Sequence, residues 1–171
     1  VETMARYEMA YGRIRDTKRR YYIAYGSNLN IQQMRMRCPS ARVIGVSALE
    51  GYRLMFKGSK TGAYLTIEPH DGGIVPVAVW EVTEDDERAL DHYEGFPRFY
   101  YKEEMKLPVK GIRSGKVRER TVFVYIMQED RPYGLPSDHY VNVCRQGYDA
   151  FGFDNRRLTE ALQASAMEVY K

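Results

Sequence analysis

Cysteine is scarce in this chain, with two among 171 residues. Cys38 and Cys144 cannot build a disulfide framework or a four-thiolate zinc cluster, and a reducing, cytoplasmic setting is the default expectation. Long apolar runs are missing as well. None approaches the ~20 residues that a membrane-spanning helix requires, and the chain does not open on the basic, apolar, small-residue pattern of a secretory signal. The phosphate-cradling Gly-x-x-x-x-Gly-Lys loop, the dinucleotide turn Gly-x-Gly-x-x-Gly and the nucleophile elbow Gly-x-Ser-x-Gly are all absent. His70, His92 and His139 stand at no metal-ligand spacing and read as surface or packing residues. Cys144 falls mid-helix on the packed face and reads as a buried structural thiol. An enzyme built from this inventory is expected to need no nucleophile of its own, no metal and no cofactor.

What is present fits a single folded unit. The length matches one domain of ~100–200 residues, and a 44% hydrophobic, 29% charged composition excludes a disordered chain. The net charge is +3, and residues 1–20 carry all of it, with six basic against three acidic side chains. The remainder holds 20 of each sign. A nucleic-acid binder is expected to carry its basic face on the folded body, so the balance argues against that class, although an arm touching phosphates stays open. Residues 1–20 read as a basic N-terminal arm, solvated or docking on a partner, ahead of a domain at 21–171.

The residue pattern predicts the elements in order. Tyr21–Tyr25 is a short apolar run ending at Gly26-Ser27-Asn28, a buried strand closing in a tight turn. A helix runs from Asn30, its cap, to Arg37, and Pro39 stops it. Strands follow over 42–56, broken at Glu50-Gly51, then 63–67 and 74–82, with Asp71-Gly72-Gly73 as the turn between the last two. Pro76 predicts an edge or a bulge. Thr83 caps the clearest helix, whose acidic first turn suits the positive end of its dipole and which ends at Glu94-Gly95. Strands at 99–107 and 118–127 flank a hairpin loop, and helices open at Pro136-Ser137 and Asn155. The order lacks the regular alternation of a doubly wound sheet. It predicts an α+β fold, a mixed, strongly curved, barrel-like β-sheet flanked by helices.

Two segments carry candidate chemistry. The turn Tyr25-Gly26-Ser27-Asn28-Leu29-Asn30 joins a strand to a helix, where outward N–H groups can hold a carboxylate or a developing oxyanion. The same residues also make an ordinary strand-to-helix turn with Asn28 or Asn30 as cap. Glu94 sits in the last turn of its helix, opposed by the dipole, with Tyr93, Phe96, Phe99, Tyr100 and Tyr101 nearby in sequence. A carboxyl group under aromatic cover has a raised pKa, which suits a general base. A plain glutamate beside a glycine cap fits the same letters.

Tyr22-Ile23-Ala24-Tyr25-Gly26-Ser27-Asn28-Leu29 resembles the strand-and-loop signature of the γ-glutamylcyclotransferase family, which includes the AIG2-like proteins. Arg37-Cys38-Pro39-Ser40-Ala41, Ala48-Leu49-Glu50-Gly51-Tyr52-Arg53-Leu54-Met55-Phe56, Leu90-Asp91-His92-Tyr93-Glu94-Gly95 and Pro136-Ser137-Asp138-His139-Tyr140 with Gly147 match further family segments in order and spacing. The resemblance spans about residues 21–165. It implies cofactor-free release of 5-oxoproline from a small γ-glutamyl peptide or γ-glutamylamine. The substrate's α-amine attacks its own γ-carbonyl, with Glu94 as the acid/base. It implies that the loop from Tyr25 to Asn30 binds the γ-glutamyl head, and that Tyr101, Tyr125, Met127 and Tyr140 line the pocket. A non-catalytic domain keeping the same pocket is the alternative, and a homodimer is left open. Tyr148 stands where the family carries a small residue, which predicts a narrowed or reshaped pocket.

Overall fold

The structure, a computed structural model, describes residues 19–59 and 62–171; most of the expected basic arm therefore lies outside the described residues. Within them the chain forms five strands and four helices: β1 (Arg20–Ala24), α1 (Ile31–Arg37), β2 (Arg42–Lys57), β3 (Tyr64–Val82), α2 (Glu84–Glu94), β4 (Tyr100–Gly111), β5 (Val117–Met127), α3 (Asp138–Phe151) and α4 (Arg156–Val169). A single 3-10 turn, Ser27–Leu29, links β1 to α1.

The sheet closes on itself in the order β1-β3-β2-β4-β5. All neighbours are antiparallel except β1 and β5, which seal the barrel as a short parallel pair through Tyr21↔Val122 and Tyr22↔Phe123. Closure leaves no open edge to protect, and the expected mixed, curved sheet takes this form. Ile23, Val79, Phe123 and Val124 are fully buried in its core.

The break expected at Asp71-Gly72-Gly73 is absent as a turn: β3 runs on without stopping. Its pairing with β2 jumps from Tyr52↔Pro69 to Glu50↔Ile74, so four residues of β3 bulge out opposite Gly51. Gly51 and Gly72 both take positive φ there, +80° and +77°, as a bulge of this kind favours. The Asp-Gly-Gly signal marks a kink inside a long strand, because the partner strand bends at the same level. Pro76 pairs with Ala48 of β2 but lies beyond the last β1 partner, Ala24↔Ala78, so no β1 residue needs the N–H that a proline lacks.

The helices begin where local chemistry places them. Asn30 accepts the N–H of Gln33 and caps α1. Thr83 and Asp86 form a reciprocal capping box at the start of α2. Ser137 caps α3 by accepting from Tyr140 N–H. α4 lies on β2, and Ser165 reaches down to accept the buried Phe56 N–H at 2.9 Å. α3 lies on the 3-10 turn, where a Cβ on Gly147 would stand 2.6 Å from the Leu29 carbonyl carbon; only glycine permits that approach. No helix among the described residues is long and apolar enough to cross a membrane.

Candidate active site

A cavity of about 220 Å³ opens at the end of the barrel where β1 stops. Its walls come from five directions: Tyr22 and the turn after β1, Tyr64 and Leu65 of β3, Phe99 and Tyr100 at the start of β4, Tyr125 of β5, and the helix ends that carry Tyr93, Glu94 and Tyr140.

Glu94 is the last residue of α2. Gly95 takes the left-handed conformation at φ +64°, and Phe96 N–H returns to the Asp91 carbonyl at 2.9 Å. This helix stop turns the chain away from the cavity and leaves the glutamate on its wall. One turn back, Asp91 Oδ1 accepts the Tyr125 hydroxyl at 2.6 Å and pairs with Lys102 Nζ at 2.8 Å. Those two bonds tie α2 to β5 and β4, and so fix where Glu94 sits.

Burial pushes the Glu94 carboxyl up to about 7, while the Arg37 guanidinium pulls it the other way. Desolvation wins because the surroundings are aromatic rings rather than water. Burial also raises the hydroxyl pKa of Tyr22 and Tyr25, with the charge of Glu94 adding to it. The cavity is therefore lined by tyrosines around one carboxyl group raised to about 7. His70, His92 and His139 are exposed, and no group of metal-ligating side chains occurs among the described residues. Cys144 is fully buried, with its thiol pushed up to about 12 by desolvation.

The turn divides its residues between two tasks. Gly26, Ser27 and Asn28 line the cavity, and no backbone acceptor among the described residues takes their N–H groups. Leu29 and Asn30 face away. Leu29 is fully buried with its N–H on the Gly26 carbonyl at 3.0 Å. Asn30 caps α1 and donates to the Val143 carbonyl at 3.1 Å. The cradle and the ordinary turn are thus both present, in successive residues.

Two further expected pocket residues lie elsewhere. Met127 is buried in the core and does not line the cavity. Tyr101 pairs with Ile126, whereas Lys102 pairs with Tyr125; strand alternation sets Tyr101 on the face opposite Tyr125. It is partly exposed and donates its hydroxyl to Glu129. Tyr100 holds the cavity position instead, with its hydroxyl on the Leu65 carbonyl at 2.9 Å. Tyr148 does not narrow the cavity: it is fully buried and braces the turn by donating to the Tyr25 carbonyl at 3.0 Å.

Arg37 is the charged neighbour of Glu94 that sequence reading did not single out. Its guanidinium donates to Asn28 Oδ1, to Ser27 Oγ at 3.4 Å and to Gln33 Oε1 at 2.8 Å, and lies 3.5 Å over the Tyr93 ring. The signal was there in the helix spacing, since Gln33 and Arg37 stand four apart on one face of α1. Tyr22 and Tyr64 were legible only as strand residues.

A closed five-stranded barrel thus carries a tyrosine-walled cavity with one carboxyl group at one end, of a size for a small molecule. The profile described as Gamma-glutamyl cyclotransferase, AIG2-like, matches residues 22–142, and the chain belongs to that family. It is 31% identical to human gamma-glutamylcyclotransferase over 135 residues, 74% of this chain and 68% of the relative. It is 31% identical to the mouse protein of the same name over 160 residues, 88% of this chain and 80% of the relative. A solved structure described as gamma-glutamyl cyclotransferase superposes with a TM-score of 0.69 at 27% identity, covering 86% of this chain and 88% of that one.

Proposed function

We propose that this protein releases 5-oxoproline from a small γ-glutamyl amide, with Glu94 as the proton carrier. The observation that carries the reading is that Glu94, held near neutral pKa, shares one cavity with the N–H groups of Gly26, Ser27 and Asn28, which no backbone acceptor among the described residues takes.

In this reading the γ-glutamyl head enters the cavity with its γ-carbonyl toward the turn. Ionised Glu94 takes one proton from the substrate's α-ammonium group. The freed amine attacks the γ-carbonyl carbon, closing a five-membered ring, and the carbonyl oxygen carries the transient negative charge toward the N–H groups of the turn. As the carbon–nitrogen bond of the amide breaks, the leaving nitrogen receives the proton held by Glu94 and a second proton from the ring nitrogen. The products are 5-oxoproline and the released amine as its ammonium ion. Well-placed intramolecular attack is worth ~7–11 kcal/mol, so the enclosing tyrosines contribute by holding the substrate folded. The free α-amino group has a pKa of ~8, and a carboxylate titrating near 7 is matched to accept its proton.

Gly26, Ser27, Asn28, Tyr125 and Tyr140 are the proposed substrate contacts. Leu29, Asn30 and Met127 act by holding them in place. No cofactor enters this chemistry, and the two buried free thiols suit a reducing compartment such as the cytoplasm.

The test is a panel of γ-glutamyl dipeptides and γ-glutamylamines, scored for 5-oxoproline release. Turnover of one class by the native protein and its loss in Glu94→Gln support the reading. Tight binding of 5-oxoproline with no product from any member would make this a binding domain instead.

A further inference from the structure

A second concavity, of about 700 Å³, lies between α1, the start of β2 and the β4–β5 hairpin. It shares no lining residue with the tyrosine cavity. Its floor is apolar, made by Val43, Ile44, Trp80 and Val109, and its rim is basic. Arg35 comes from α1, Arg42 from β2, and Arg113, Lys116, Arg118 and Arg120 from the hairpin. No aspartate or glutamate lines it. Strand alternation puts Arg118 and Arg120 of β5 on one side of the chain, and Lys116 precedes the strand directly.

Elsewhere on the barrel, cations meet carboxylates: Arg53 pairs with Glu68 at 2.7 Å, Lys102 with Asp91 at 2.8 Å and Arg20 with Glu104 at 2.7 Å. In this groove Arg42 alone does so among the described residues, sharing Glu81 at 2.9 Å, and Arg120 donates to the Tyr21 hydroxyl at 3.2 Å. The side chains of Arg35, Arg113, Lys116 and Arg118 have no partner among the described residues. In the wall, Trp80 is 3% exposed and its indole N–H has no acceptor among the described residues. Like charges gathered with one carboxylate among them oppose folding, and an unpaired buried donor is destabilising. A multiply charged anion relieves the repulsion.

We propose that this groove binds a small ligand carrying a run of phosphates. The phosphates lie along Arg113, Lys116 and Arg118, where guanidinium groups offer paired donors to phosphate oxygens. A less polar portion rests on the floor at Val43, Trp80 and Val109. The size favours a small molecule over a polynucleotide, since such pockets span ~300–1,000 Å³ and this one is closed below. The proposal stands apart from the reaction assigned to the tyrosine cavity.

Trp80 is the only tryptophan of the chain, so its emission reports on the groove directly. The full chain is titrated with sodium tripolyphosphate, ATP, orthophosphate and single-stranded oligonucleotides of rising length. The expected result is a saturable emission change with tripolyphosphate or ATP, at least roughly tenfold tighter than orthophosphate and weakening as salt rises. Equal affinity for the first two assigns binding to the phosphates alone, and tighter ATP binding adds the floor; either supports the site. Arg113→Ser/Lys116→Ser/Arg118→Ser is expected to weaken binding at least roughly tenfold at an unchanged melting temperature. If that variant unfolds, Arg113→Ser alone, in the exposed turn, is expected to weaken binding severalfold. Affinity unaltered by these substitutions, no saturable response at millimolar ligand, or oligonucleotides that bind more tightly than both small ligands would each overturn the proposal.

Discussion

The hydroxyl of Tyr25 donates to the backbone carbonyl of Tyr125 at 2.6 Å, across a hundred residues of chain. The bond lies beyond the parallel seam between β1 and β5, where ladder pairing has ended. It fastens the start of the Gly26–Asn28 turn to the strand whose Tyr125 side chain, through Asp91, positions the helix of Glu94. One tyrosine pair thus couples the two halves of the proposed site. Tyr25→Phe leaves a buried carbonyl without its donor and is expected to lower stability by about 1–3 kcal/mol and to raise KM. Denaturant unfolding and steady-state kinetics check both.

Glu94→Gln is expected to reduce kcat by roughly 10²–10⁴-fold, the span of general acid–base help. Its effect on stability has the opposite sign. The carboxyl pKa is raised in the folded state, so the native protein holds a proton that the unfolded chain has released between about pH 4.5 and 7. Stability therefore falls as pH rises through that window. Glu94→Gln should be more stable than the native chain above pH 7, by on the order of 1–3 kcal/mol, with the gap closing toward pH 4.5. Unfolding curves at several pH values decide it.

The pH profile follows from the same group. kcat/KM is expected to fall on the acid side of about 7 as Glu94 takes up its proton. Arg37 lowers that pKa, so Arg37→Gln should move the acid limb to higher pH. The same variant frees Asn28 and Ser27 and should raise KM. An acid limb that stays in place in Arg37→Gln would remove Glu94 as its origin.

Tyr100 and Tyr101 separate the two faces of β4. Tyr101→Ala is expected to leave KM within about twofold, as for a surface change away from the site. Tyr100→Phe frees the Leu65 carbonyl beside the cavity and should raise KM several-fold. Parallel kinetics on the two variants test the facing.

Gly147→Ala is expected to destabilise the fold by about 1–3 kcal/mol, the usual cost of overpacking. The added carbon would meet the backbone of Leu29 and Asn30 at 2.6–2.7 Å. Relief requires α3 to pull away from the turn, so substrate affinity should drop along with the melting temperature.

Much of the fold was written in short stretches of chain. Asn30, Thr83 and Ser137 each cap a helix with a side chain that acts within three residues, so composition alone reveals them. The Asp71-Gly72-Gly73 signal misled because turn chemistry and bulge chemistry use the same residues. Only the pairing of β2 with β3 tells which is meant. Tyr101 misled for a related reason: neighbouring tyrosines on a strand look alike in sequence, yet one step reverses the face. The charge balance concealed the basic groove, because a net count over the chain carries no information on where folding collects its arginines.

The amino-acid order by itself determined which segments become helix or strand, and it set a glutamate at a helix end next to aromatic neighbours. Those are local properties, governed by φ/ψ preference, caps and periodicity over a few residues. Closure of the barrel decided the rest. It brought Tyr22, Tyr64 and Tyr140 from distant segments to enclose Glu94, and the raised pKa comes from that enclosure, since desolvation depends on what surrounds a carboxyl group in space.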